Sequence, residues 1–359
     1  MTSANPEGAV ADDVVAAAPD PDEAQRAIEY CYEQEWSDGL PLVPVSKPLL
    51  DAFLATTDKD PDEIIGSLEQ VGRDVTVHLA AINAGLAGCR PEYFPVVLAA
   101  FDALMRERAA RGGGFQSTSG PAPLIVVNGP IRSELGFNTA GGAFGPGFRP
   151  NMTIPRAIGL IVRNGFGIHP HVLEQATQGV PGRWSICVAE NEEESPWEPF
   201  AENGGVAGGV SAVSATLTRT MEFVDNRHTP DHEDVLRDFQ DTIGRIGSLI
   251  FPQTSVALVL CPEHAQMFAA AGMSKADVQD WLIERCGRTG REFRMMGKES
   301  VATKTFRGPF EGDEAFHTIL SGPRQIPVIV AGAKNAAISM VVRIFGEWSG
   351  TAVPVGEKQ

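Results

Sequence analysis

Three runs of unbroken aliphatic residues limit what this chain can fold into. They are PLIVVNGP (123–130), SVALVL (255–260) and PVIVAG (327–332). Each is too short for a helix and closes on Gly, Pro or Cys, so each reads as a strand buried on both faces. RWSICVA (183–189) and SAVSATLTRTMEFV (211–224) add a fourth strand and a fifth that alternates. Between them lie helical stretches. VHLAAINAGLAGC is small and apolar nearly all round, as in a helix packed closely by neighbours. PEYFPVVLAAFDALMRERAARGGG ends in basic residues and glycines, DHEDVLRDFQDTIGRI begins with acids, and SKADVQDWLIERC takes Ser274 as its N-cap. Strands alternating with helices predict an α/β fold of two lobes, with mixed or mostly parallel sheets flanked by helices.

A chain of 359 residues exceeds the usual size of one core, which is the reason for expecting two lobes. The expected division is a flexible tail over 1–24, an α/β lobe over 25–203 and a second α/β lobe over 204–359. Helical order is expected near PDEAQRAIEYCYEQEW, where Ile28, Cys31 and Tyr32 share a face. The 46 acidic against 29 basic residues give a net charge of −17, which argues against a nucleic-acid or anionic-membrane partner. No lysine or arginine precedes Arg26, so no signal-peptide start is expected, and the location expected is the cytoplasm. Five cysteines without CxxC spacing, and histidines in HPH (169–171) and HTPDHED (228–234), predict no metal site; no cofactor is expected either.

Chemistry is sought first in AENEEESPWEPF (189–200). Glu190 follows a strand, and α/β sheets bind ligands beyond the carboxyl ends of their strands. No cation occurs between Arg183 and Arg219, so crowded carboxylates would raise one another's pKa, which suits Glu190 and Glu193 to acid/base work. The competing reading is a solvated acidic loop. Trp197, between Pro196 and Pro199, is expected to anchor the segment on the core. A second candidate is GGAFGPGFRPNMTIPRA, a glycine-rich loop entering a helix. Arg149, Asn151 and Thr153 there could hold an anionic or carbonyl oxygen, or could lie on a plain surface turn. Asp38 of WSDGLP either caps a turn or joins a site with Trp36. Cys89, before a helix and beside Arg90, is either a low-pKa nucleophile or a buried thiol. Asn138 and Gln116 are further polar candidates for substrate binding.

Taken together, EWSDGLPLVP, INAGLAGCRPEYFPVVLAA, PLIVVNGPI, FGPGFRPNMTIPRA and AENEEESPWEP resemble a bacterial family related to the UGSC-type (seleno)proteins, over residues 25–200. In longer relatives this region adjoins a Sec/Cys-Gly-Ser-Cys motif, which this chain lacks, so chemistry through a vicinal thiol pair does not carry over. Relatives read more like GWRANATIGRA where this chain has GFRPNMTIPRA. Arg149, Asn151, Thr153 and Arg156 match; Pro150, Met152 and Pro155 do not. The function expected is a cytosolic lyase (hydration or dehydration) or hydrolase acting on a small organic molecule, as a homo-oligomer. The alternative is a subunit of a reductase system that needs a separate thiol or selenol protein.

Overall fold

The computed structural model describes residues 21–245, 255–299, 312–320 and 322–356. Residues 1–20 of the expected tail lie outside them, and 21–24 open a helix instead. The helices of eight residues or more are α1 (Pro21–Glu33), α2 (Lys47–Leu54), α3 (Val77–Leu86), α4 (Phe94–Arg106), α5 (Arg149–Leu160), α6 (His232–Gly244), α7 (Pro262–Ala270) and α8 (Lys275–Arg285). Their starts follow the local chemistry. Thr76 caps α3 by accepting from Leu79 N, Asp231 caps α6, and Ser274 with Asp277 forms a capping box on α8.

The strands are β1 (Ile64–Leu68), β2 (Arg73–Thr76), β3 (Ala122–Asn128), β4 (Cys187–Ala189), β5 (Ala212–Asp225), β6 (Val256–Leu260), β7 (Gly287–Thr289), β8 (Phe316–Thr318), β9 (Val328–Val330), β10 (Ile338–Ile344) and β11 (Ala352–Pro354). Seven form one mixed sheet in the order β4-β3-β5-β10-β6-β9, with β11 also on β5. β1–β2 and β7–β8 are separate antiparallel pairs. The α/β class is as expected. Of its two sheet types the mixed one is found: β3–β4 and β6–β9 are parallel, while β3–β5, β5–β10, β10–β6 and β5–β11 are antiparallel.

The order is palindromic about the β5–β10 pair. β3, α5, β4 and β5 form one strand–helix–strand–strand unit, and β6, α7–α8, β9 and β10 form another. The sheet itself runs continuously across residue 203, because β5 pairs with β3 on one side and β10 on the other.

Side-chain alternation sorts the apolar residues into three cores. Ile125, Val127, Cys187, Ala189, Val213, Ala215 and Leu217 face α3, α4 and α5. Leu258, Leu260, Val328, Val330 and Val341 face α6, α7 and α8. The alternate positions, Leu124, Val126, Ile186, Val188, Ala257, Val259, Ile329, Val342 and Ile344, gather on the inner face of the curled sheet. The curl brings the two edge strands together at their carboxyl ends, where Asn191 N donates to Val330 O at 2.8 Å. No helix among the described residues is long and apolar enough to cross a membrane.

Candidate functional site

α3 ends in a left-handed glycine. Gly88 has φ +87, Gly88 N donates to Gly85 O, and Cys89 N returns to Ala84 O at 3.0 Å. This turn points Gly88 O outward, where Arg149 Nε donates to it at 2.9 Å. Arg149 opens α5, two residues after Gly147 at φ +119. Positions 149, 153 and 156 share one helix face, and all three side chains are engaged there. Thr153 Oγ1 donates to Arg149 O at 2.8 Å, and Thr153 stands beside the Cys89 thiol. Arg156 grips Asp38 through two bonds, Nε to Oδ2 at 2.9 Å and Nη2 to Oδ1 at 2.8 Å. It also donates to Leu40 O and Pro41 O. Asp38 caps its own turn as well, accepting from Leu40 N at 3.2 Å. Three separated motifs, SDGLP, AGCRPE and FRPNMTIPRA, thus meet on one face.

The electrostatics of this face are polarised. Burial pushes the Asp38 carboxyl up, but the Arg156 hydrogen bonds and charge outweigh it and hold it below the usual carboxylate range. Cys89 goes the other way. Burial raises its thiol to about 12, against the neighbouring Thr153 hydroxyl and the charges of Arg149 and Arg156. Of the two readings of Cys89 the buried thiol is found: with the residue 4% exposed, desolvation exceeds the cations' attraction, and the thiol is neutral at rest. Arg149 is exposed, and beyond its Nε bond to Gly88 no partner is found for its guanidinium among the described residues. Leu40, Val43 and Phe148 are exposed around it.

Asn151 and Asn138 lie behind this face. Asn151 Nδ2 donates to Cys187 O at 3.2 Å, and its Oδ1 accepts from Asn138 N at 2.9 Å. Both side chains are buried and bind the 138 loop to β4. Trp36 is 41% exposed, with its ring edge-on to Tyr30 and its carbonyl accepting from Asn164. Gln116 ends a short turn at the amino end of β3, the far end of that strand from Asn128.

The acidic run occupies the seam where the sheet closes. Glu190 is wholly buried. Its Oε2 accepts from Asn128 Nδ2 at 2.5 Å and from Phe200 N at 2.6 Å, and its Oε1 accepts from Val330 N at 3.2 Å. Its carboxylate thus spans β3, β4 and β9, supplying acceptors that a short edge strand cannot. Burial raises its pKa, opposed by the Lys275 charge and by these donors. The expectation that the run has no cation is corrected. Arg132, 6% exposed, donates to Glu192 Oε2 at 2.8 Å, to both Glu193 oxygens at 3.0 Å and to Glu190 O at 2.5 Å. Glu193 has its pKa lowered, first by the Arg132 hydrogen bonds. Its side chain is nonetheless 69% exposed, more than the 47% of Glu194. Trp197 anchors the run on the second core, its Nε1 donating to Met273 O at 3.0 Å.

Sequence reasoning missed Arg132 because it looked for cations beside the glutamates. The signal available was its place in NGPIR, four residues past the end of β3. A cavity of about 690 Å³ lies elsewhere, lined by Asp58, Lys59, Glu63, Ile64, Asp102 and Val353, and none of the candidate residues reaches it. No protein-family model and no curated protein matches this chain.

Proposed function

We propose that this protein is a cytosolic enzyme that takes a small organic anion at the start of α5 and performs acid/base chemistry on it, as a lyase or hydrolase. The observation that carries this reading is the Arg149 guanidinium. Its Nε is fixed by Gly88 O, which aims a planar donor fork from an exposed position, and such forks suit carboxylates. Backbone N–H groups in the first turn of α5 add to the attraction for an anion.

Two titratable groups on the same face as this fork are held in opposite protonation states. Asp38 is ionised and Cys89 carries its proton, the separation that acid/base catalysis uses. In this reading Asp38 accepts a proton, Cys89 donates one, and Arg156 orients Asp38. Glu190 is not needed as proton carrier, because its three donors come from the fold itself. The motifs bearing Asp38, Cys89 and Arg149 are three of those behind the resemblance to the UGSC-type family, which supports a shared site.

Calorimetric titration with a panel of small mono- and dicarboxylates tests the reading. Binding by the wild type that falls at least tenfold in Arg149→Gln is expected. Equal binding by both proteins, or none by the wild type, overturns it. A second reading, a subunit serving a separate thiol or selenol protein, is favoured by the exposed Leu40, Val43 and Phe148 around the site. It requires that a purified thiol partner bind the wild type and not Val43→Glu.

A further inference from the structure

The inner face of the curled sheet is apolar except along β5 and at the carboxyl ends of β3 and β4, where Asn128 and Glu190 stand. Val213, Ala215 and Leu217 of that strand point to the helices. Ser214, Thr216 and Thr218 therefore point inward, beside Leu124, Val126, Val342 and Ile344. Thr218 Oγ1 donates to Ala122 O at 3.2 Å. Ser214 Oγ and Thr216 Oγ1 have no hydrogen-bond partner among the described residues, and both residues are wholly buried.

A third unpartnered group lies in the same inner core. On one side of β5, Ile344 sits opposite Thr218 and Ala352 opposite Ser214. Between those points the chain leaves the sheet, and this excursion carries Trp348. The indole is 2% exposed, packs within the inner core with its ring 5.0 Å from Phe200, and its Nε1 has no partner. On the other side of β5, Val126 faces Ser214 and Asn128 faces Ala212. Asn128 is 1% exposed; its Nδ2 donates to Glu190 and Glu192, and its Oδ1 is unpartnered.

Buried polar side-chain groups are nearly always hydrogen-bonded, so four orphans on one enclosed face point to a partner of one kind held along it. That partner must accept from an indole N–H, donate to an amide oxygen, and do either with two hydroxyls. Water does all of this. An anion meets the wrong end of Asn128 and the carboxylate of Glu190, and an apolar ligand satisfies none of the four. We propose that Ser214, Thr216, Trp348 and Asn128 form an internal water site inside the curled sheet, one side chain away from Glu190. This does not depend on the reading of the α5 face.

Two measurements on the full chain test it. In NMR, the Trp348 indole proton, assigned by its loss in Trp348→Phe, should show a cross-relaxation peak to water of the sign given by a long-lived bound molecule. Absence of that peak overturns the site. Independently, Ser214→Ala and Thr216→Val should each lower the thermal midpoint, because each removes a bond to the bound water. If the hydroxyls are true orphans, the apolar isosteres leave the midpoint unchanged or raise it, and that result overturns the site.

Discussion

The seam and the α5 face use the same residue types in opposite ways. At the seam, Arg132 meets two carboxylates, and Glu190 accepts from three donors of the surrounding fold. At the α5 face, Arg156 is likewise consumed by Asp38 and two carbonyls, but Arg149 holds its guanidinium by one nitrogen only. Buried charge that is fully paired within the fold serves cohesion. Charge that is oriented but left open is available to a ligand. Carboxylate density, the feature most visible in the sequence, therefore marks the closure of the sheet, while a single open arginine marks the place proposed for chemistry.

The strongest way to break this contrast is to remove Glu190. Glu190→Ala leaves Val330 N and Phe200 N without their acceptor and Asn128 Nδ2 with Glu192 alone, and buried unpaired donors cost about 1–3 kcal/mol each. A loss on the order of 3–5 kcal/mol in denaturant unfolding is expected. A change below about 1 kcal/mol would mean that the seam closes without the carboxylate. Arg132→Met should come next, with a loss of about 2 kcal/mol, because it uncouples Glu192 and Glu193 and leaves Glu190 O without a donor. Neither variant that remains folded should alter anion binding at Arg149, and a parallel loss of binding would merge the two regions into one site.

The fold was legible where local signals sufficed. β3, β6 and β9 are aliphatic runs bounded by turn residues, and α6 and α8 carry acidic first turns and their own caps. The β1–β2 pair went unread because IIGSL and RDVT are short and largely unburied, and gain their order from pairing and from packing against α4. Sheet closure was also invisible, since it depends on Asn191 meeting Val330 after the sheet has curled. The sites followed the same rule. Glu190 stands at the strand end where its position in the sequence puts it, yet its donors come from residues 128, 200 and 330. Asp38 is separated from Arg156 by 118 positions, so its turn-capping role could be read locally and its ion pair could not. The two readings of Cys89 stayed open because its cations are visible in sequence while its burial is not.

Acid titration should separate the regions by sign. Asp38 has a folded pKa below its usual 3.8. Its stabilisation is fully present above 3.8 and is lost as pH falls through the folded value. Asp38→Asn should therefore flatten the acid limb of the stability curve below about pH 4. Glu190 has a folded pKa above its usual 4.5. The stability linked to it is fully present below 4.5 and is lost as pH rises through the folded value. Glu190→Gln should remove that decline while lowering stability at every pH. Parallel profiles for the two variants would contradict the opposite environments assigned to these carboxyls.

The smallest expected effect on stability is the one that most sharpens the comparison. Arg149 is exposed, and only its bond to Gly88 O is lost in Arg149→Gln, because Gly88 N and Cys89 N keep their helix-capping bonds. Surface substitutions of this kind stay within about 0.5 kcal/mol. The variant should unfold with the wild type, unlike Arg132→Met, although both remove one guanidinium beside a helix or strand end. Its effect should appear in ligand binding alone. If Arg149→Gln instead destabilises as much as Arg132→Met, Arg149 is a structural clamp like its counterpart at the seam. The α5 face would then lose its claim to a ligand, because an arginine whose bonds all serve the fold has no donor left to offer.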